Sequence, residues 1–379
     1  MDRCLRIIVF LLVLASWESL QAGRNRARDL GIEIGVLSTG PLNAITDVPG
    51  VLVGHVTLNS GEGKLVVGKG PVRTGVTAIL PHGDDVYANM VFAAAEVLNG
   101  NGEMTGMEWV NERGLLEVPI VLTNTLSVGT AYDGVVAYML KQNQSRVPLP
   151  VVAECYDGGL NDIAGRHVRE EHVIQAIESA RGGPVSEGSV GAGTGMRAYQ
   201  FKAGIGTASR VVHQEIGGYT VGVLVNANLG RRPYLTVDGV PIGKEMPIAP
   251  RPTRDGSIII VIATDAPLIP SQLRRMCKRA AYGLARTGTE SYTGSGDLVI
   301  CFSTAHRIPR DRAPTYSVQT VRDGNLSDLF RGVAEATEEA VINAMCVADS
   351  MIGRDDRVMP AIPHDKLVEI LKKNGRIAK

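Results

Sequence analysis

Apolar runs of strand length recur along the chain: EVPIVLTNT, LPVVAEC, YTVGVLVNANLG, SIIIVIATDAP and SGDLVICFST. Their β-branched content and polar flanks fit strands buried on both faces. Helical spacing marks SVGTAYDGVVAYMLKQ and a segment opening near Ser271. There Leu273, Met276, Cys277, Ala280, Ala281 and Leu284 share one face, and Arg286 and Gly288 mark the end. A long helix is predicted from about Leu326 to Met351 and a short one near Lys366 to Lys373. Val86 to Leu98 also reads as a helix, closed by Asn99-Gly100. Leu30 to Leu58 reads as short strands joined by Asp-Val-Pro-Gly. Strands and helices alternate without a clean βαβ rhythm, so the expected fold is α/β, with two layers of sheet covered by helices.

Two regions stand out for their turn content. Gly188 to Arg210 is rich in glycine, and its G-A-G-T-G resembles a dinucleotide fingerprint. Strand-like residues rather than a helix follow it, so close backbone crossings are the better reading. Arg231 to Asp255 is basic and studded with proline, and reads as an exposed connection open to processing.

The first residues read differently from the rest. Two arginines precede IIVFLLVLASW, and small Ala22 follows at a cleavage point. This is the pattern of a secretory signal peptide over 1–22, with an uncleaved anchor as the alternative. Export to the periplasm or beyond is the expectation, with no stable membrane span after removal. Lys plus Arg and Asp plus Glu stand at 39 each, which favours neither nucleic acid nor an anionic membrane as partner. Of the five cysteines, Cys155, Cys277, Cys301 and Cys346 remain after removal of the leader. Their wide spacing argues against a zinc site and fits small buried hydrophobes.

Ser257 is the candidate for chemistry. Gly256-Ser257 lies where a long polar loop meets the most hydrophobic strand, and the commonplace reading is a strand start. Yet glycine before serine lets the peptide bond be strained, as an N-to-O acyl shift requires. Cleavage there frees an α-amine beside the hydroxyl, and such an amine titrates at about 7.7–8.0, so it serves as general base without histidine. The seven histidines are scattered and no G-x-S-x-G elbow is present, which counts against a Ser-His-Asp arrangement.

These segments resemble a known family. GPLNAITDVPGVLVGHVTL, LTNTLSVG, AECYDGGLND, GSVGAGTGM, FKAGIGTASR, VGVLVNANLGRR, DGSIIIVIATDAPLIPSQLRR, GSGDLVICFST and EAVINAMCVADSMIGRD resemble the L-aminopeptidase D-Ala-esterase/amidases and β-peptidyl aminopeptidases. The resemblance implies an α-β-β-α sandwich with the layering of N-terminal-nucleophile hydrolases. It implies self-cleavage into chains of 23–256 and 257–379, which assemble as a tetramer of heterodimers. Ser257 falls on the family nucleophile and Asn228 on the oxyanion-hole asparagine. Tyr156 matches a tyrosine of the site, and Glu154 the acid that anchors the substrate's free amine. Ser295 and Asp297 match the polar pair that supports the nucleophile. A small peptide, amide or ester with a β-, L- or D-aminoacyl group is the implied substrate, and no cofactor or metal is implied. An acyltransferase like ornithine acetyltransferase, which uses threonine, is the enzymatic alternative; a non-enzymatic exported protein is the other.

Three positions depart from the family pattern. Cys155 stands where threonine is expected and Asn226 where glutamine is usual. Gly353-Arg354-Asp355-Asp356 replaces G-R-D-G.

Overall fold

The computed structural model describes residues 25–142, 147–247 and 256–377; the expected signal peptide and the end of the 231–255 loop lie outside them. Strands β1 (Leu52–Ser60), β2 (Val72–Leu80), β3 (Asn89–Gly100), β4 (Leu115–Leu116), β5 (Ile120–Asn124) and β6 (Val151–Cys155) come first. After them run β7 (Arg197–Ala198), β8 (Phe201–Lys202), β9 (Ile205–Val211), β10 (Thr220–Asn228), β11 (Ser257–Thr264), β12 (Gly296–Ser303) and β13 (Ile308–Pro309). The order β1-β2-β5-β6 makes a four-stranded sheet, and β13-β3-β12-β11-β10-β9, with β4 beside β3, makes a seven-stranded one.

Helices α1 (Val128–Lys141) and α2 (Glu170–Glu178) pack together against the smaller sheet, and α3 (Pro270–Arg286) and α4 (Ser327–Cys346) pack together against the larger. The fold is thus mixed α/β. Alternation along β11 explains how the sheets are used. Ile258, Ile260 and Ile262 join the apolar cluster under α3 and α4, whereas Ile259, Val261 and Ala263 join the cluster with residues of the smaller sheet. A strand apolar at every position is what burial on both faces requires.

The same alternation corrects the reading of Val86 to Leu98 as a helix. Its core, Asn89–Gly100, is β3. Met90, Phe92 and Ala94 face one cluster and Val91, Ala93 and Ala95 the other. Three successive alanines raise helix propensity, but burial between two layers overrides that weak preference. The loop from Arg231 is also less open than expected. Leu235, Val237 and Ile242 are buried, and the Arg232 guanidinium donates to the Tyr199 carbonyl at 2.7 Å.

A buried ionic cluster ties the chain's first described segment to α4. Arg210 pairs with Glu339 at 2.6 Å and Glu335 at 3.2 Å, and Arg28 reaches Glu339 at 2.9 Å. Beside them the Ala27 N–H donates to Asn343 Oδ1 at 3.0 Å. Removing one partner of such a group leaves an uncompensated buried charge, so the cluster is costly to break. Cys155, Cys277, Cys301 and Cys346 are buried, and none forms a disulfide among the described residues.

Candidate active site

Ser257 is the first residue of β11, and its side chain is 7% exposed. Its neighbours are fixed by register. On one side Asn228, the last residue of β10, lies opposite it in antiparallel pairing. On the other, parallel pairing sets Ile258 beside Asp297, which brings Gly296 alongside Ser257. The Gly296 N–H donates to Ser257 Oγ at 3.1 Å.

Glycine is demanded on both sides of this serine. A Cβ on Gly256 would lie 1.9 Å from the Asn228 carbonyl oxygen, and one on Gly296 2.6 Å from Gly102 Cα. Neither neighbour is a flexible side-chain end, so any larger residue displaces backbone. The turn Asn99-Gly100-Asn101-Gly102 is therefore wedged against the start of β12, the strand beside the serine's own. Asn99 Nδ2 donates to the carbonyls of Tyr292 and Ser295, and the Asn101 N–H donates to the Ser295 carbonyl at 3.1 Å.

The same turn reaches Glu154. A Cβ at Gly102 would stand 3.5 Å from Glu154 Oε1, which also accepts the Glu103 N–H at 3.3 Å. The other carboxylate oxygen accepts the Thr125 hydroxyl. Burial pushes the Glu154 carboxyl above the usual range, and these two hydrogen bonds pull it back only in part. Its ionised form thus sits in a pocket that favours a cationic partner.

Asn228 is held at both ends of its amide. Nδ2 donates to the Tyr156 carbonyl at 3.0 Å, and Oδ1 accepts the Arg197 N–H at 3.3 Å. Two backbone groups so fix which end is the donor, leaving the second Nδ2 hydrogen for a ligand. Tyr156 contributes its backbone here. Its phenol lies over Gly158, where a Cβ would sit 2.5 Å from the hydroxyl.

The Ser295 hydroxyl donates to Asp297 Oδ1 at 2.6 Å, as their two-residue spacing suggests. Burial raises the Asp297 carboxyl, with hydrogen bonds from Ser291 and Ser295 acting in the opposite direction. By register Asp297 shares the face of Ile258, so the polar pair lies around the end of the strand from the Ser257 hydroxyl.

This geometry places the six expected side chains at one end of the larger sheet, where it meets β6. Sequence reading missed Gly296, Gly102, Thr125 and the Arg197 N–H. The N-G-N-G turn was the signal available for Gly102, whereas Thr125 and the Arg197 backbone carried none.

The chain's Met104 to Pro150 and Arg197 to Asn228 segments belong to a stretch that matches a family model, "Peptidase family S58", over residues 43–359. The chain belongs to peptidase family S58. It is 47% identical over 374 residues to beta-peptidyl aminopeptidase BapA of Sphingosinicella microcystinivorans, covering 93% of each chain. A solved structure from Pyrococcus horikoshii OT3 matches with a TM-score of 0.89 and 50% identity, over 93% of this chain and 100% of that one. The L-aminopeptidase D-Ala-esterase/amidase of Ochrobactrum anthropi matches with a TM-score of 0.87 and 44% identity, over 93% and 99%. That enzyme is described as a prototype serine aminopeptidase and a variant of the N-terminal-nucleophile hydrolase fold. The present S58 member is accordingly a hydrolase of the serine aminopeptidase class.

Two of the three departures from the family pattern have local explanations, and nothing in the structure explains the third, Asn226. The Cys155 thiol donates to the Asn226 carbonyl at 3.4 Å inside the sheet interface, a bond that a threonine hydroxyl also makes, so Cys155 is not a pocket wall. Asp356 has φ of 56°, the left-handed region where glycine costs least, and aspartate is among the tolerated substitutes. The Asn226 side-chain amide is buried and finds no partner among the described residues.

Proposed function

We propose that this protein is an exported, self-processing aminopeptidase that cuts its own Gly256–Ser257 bond and then uses Ser257 on substrates. The observation that carries this reading is the fit of Gly256 against the Asn228 carbonyl, which forces glycine immediately before a serine at a strand start. In maturation Ser257 Oγ attacks the Gly256 carbonyl carbon, the C–N bond breaks, and an ester and a free amine result. Water then hydrolyses the ester. In turnover the amine takes the Ser257 proton, Oγ attacks the first amide of a substrate, and the leaving amine receives the proton. Asn228 donates to the oxyanion, and water releases the acyl group. Tyr156, Ser295 and Asp297 position these groups.

Glu154 takes the substrate's free ammonium, which accounts for exopeptidase selectivity. Substrates are short peptides, amides or esters of β-, L- or D-amino acids, in keeping with the activities named for the relatives. The two product chains stay in one four-layer α-β-β-α body and assemble further into a homo-oligomer, a tetramer of heterodimers. Helix pairs on the outer faces of both sheets support that layering.

Purified protein should run as two fragments, the smaller beginning Ser-Ile-Ile-Ile on N-terminal sequencing, and should release p-nitroaniline from at least one of the β-Ala, L-Ala and D-Ala anilides. Activity from a single uncut chain would refute the mechanism.

Glu154→Gln should lower kcat/KM for unblocked substrates by roughly 10–150-fold, the range for a charge-assisted hydrogen bond of about 1.5–3 kcal/mol. Self-cleavage should survive. The raised carboxyl also predicts a pH effect. Glu154 must be ionised to hold an ammonium, so kcat/KM should fall as pH drops through a value above the ordinary glutamate range. That acid limb should vanish in the variant; its persistence would assign the limb to another group.

A further inference from the structure

A basin of about 760 Å³ opens beside Asn228, on the side of Ser257 away from Glu154. Its wall begins with the two residues that clamp the Asn228 amide, Tyr156 and Arg197, and continues into Arg354, Asp355, Asp356 and Arg357. Glu154 approaches Ser257 through Gly102 and Gly296, on the β12 side, whereas the basin's Tyr156 and Arg197 reach Asn228, on the β10 side. On the reading proposed above, the acyl half of a substrate runs toward Glu154. The half that leaves therefore runs toward the basin.

Arg354 and Arg357 share the basin wall with Asp355 and Asp356. Asp355 Oδ2 is shared at long range between Arg354 Nε, at 3.5 Å, and Arg357 Nη2, at 3.4 Å. Its other oxygen accepts the Leu65 N–H at 3.1 Å. The Arg354 Nε is buried without a hydrogen bond among the described residues, and Arg357 adds to its share of that carboxylate a hydrogen bond from Nη1 to the Gly159 carbonyl at 3.4 Å. The turn that carries both arginines is also rigidly placed. The Arg354 N–H donates to the Leu160 carbonyl and the Asp355 N–H to the Gly63 carbonyl, each at 2.8 Å, and a Cβ on Gly353 would meet Leu160 Cα at 2.6 Å. A fixed fork of guanidinium groups suits a carboxylate, which it can bind through two parallel bonds.

We propose that this basin is a carboxylate subsite for the leaving half of the substrate, so that the enzyme prefers short acidic-ended peptides to the corresponding amides. The proposal rests on the aminopeptidase reading and names its substrate class. One residue extends a chain by roughly 3.5 Å, so a dipeptide carries its terminal carboxylate just past the scissile bond. A terminal carboxylate and an aspartate side chain at the same residue share this chemistry.

The test compares β-Ala-Ala, β-Ala-Ala-amide and β-Ala-Asp-amide on the processed enzyme. The free acid should exceed its amide in kcat/KM by roughly tenfold, the worth of one charge-assisted contact, with the difference lying in KM. Added salt should shrink the ratio. Arg354→Gln and Arg357→Gln should each bring it toward one. Arg357 is half exposed, so that variant is informative even if Arg354→Gln fails to fold. Preference for the aspartyl amide alone would identify a side-chain carboxylate as the ligand and uphold the subsite. Hydrolysis of neither β-Ala-Ala nor β-Ala-Asp-amide faster than β-Ala-Ala-amide in the parent, or a preference unchanged in Arg357→Gln, would overturn it. Hydrolysis of p-nitroanilides but of none of these peptides would also overturn it while leaving the aminopeptidase reading intact. Failure on every substrate would instead remove that reading.

Discussion

Ser257→Ala should leave the purified protein as one uncut chain with hydrolysis at the background rate. Both steps of the proposed chemistry begin with the same oxygen, so no other residue can stand in for it. Among the described residues the side chain makes one hydrogen bond, accepted from the Gly296 N–H, and sits at a strand end; its loss therefore costs little folding energy. Gel analysis and a thermal melt separate the two effects. An uncut, normally folded and inactive variant is the expected result. A variant that still divides at Gly256 would place the attacking group elsewhere. Ser257→Thr and Ser257→Cys keep a nucleophile and should mature slowly.

Asn228→Asp should lower kcat by about 10²–10³-fold with a smaller change in KM, the loss typical of one oxyanion-hole donor. Aspartate retains an oxygen to accept the Arg197 N–H but sets its other oxygen against the Tyr156 carbonyl, so a thermal melt accompanies the kinetics. What disappears is the N–H, replaced by negative charge where the oxyanion forms. Maturation should slow as well, because the attack on Gly256 passes through a similar intermediate. Stopped assays with time-resolved gels measure both rates on one sample. A variant with unaltered kcat would limit Asn228 to holding Tyr156.

Much of this site was legible because strand ends announce themselves. Ser257, Asn228 and Glu154 each close or open a run of apolar residues, and a polar residue at such a place is either a cap or a site. The runs themselves gave the strands, since burial on both faces leaves no polar position to confuse the pattern. β3 failed for the same reason in reverse. Ala93, Ala94 and Ala95 satisfy a strand between two layers as well as they satisfy a helix, and only the packing decides. The glycines were visible, but not their purpose. That Gly256 must avoid the Asn228 carbonyl, and Gly296 the 99–102 turn, depends on neighbours far off in sequence. The loop after Arg231 misled because proline and arginine suggest solvent, whereas Leu235, Val237 and Ile242 anchor it from within.

The strand order of the larger sheet bears on what a cut at Gly256 would do to the physical state of the protein. β3 precedes the cut yet lies between β13 and β12, which follow it, and β10 precedes the cut yet pairs with β11. Arg28 and Arg210 precede it too, and their carboxylate partners stand on α4 beyond it. Neither fragment therefore owns the whole of the larger sheet, and the buried ionic cluster is split between them. Separating the pieces and melting them become a single event, so a molecule that folded in a first-order reaction unfolds as a bimolecular equilibrium. Its midpoint temperature then rises with protein concentration, more steeply than that of the uncut Ser257→Ala form, whose two halves stay joined.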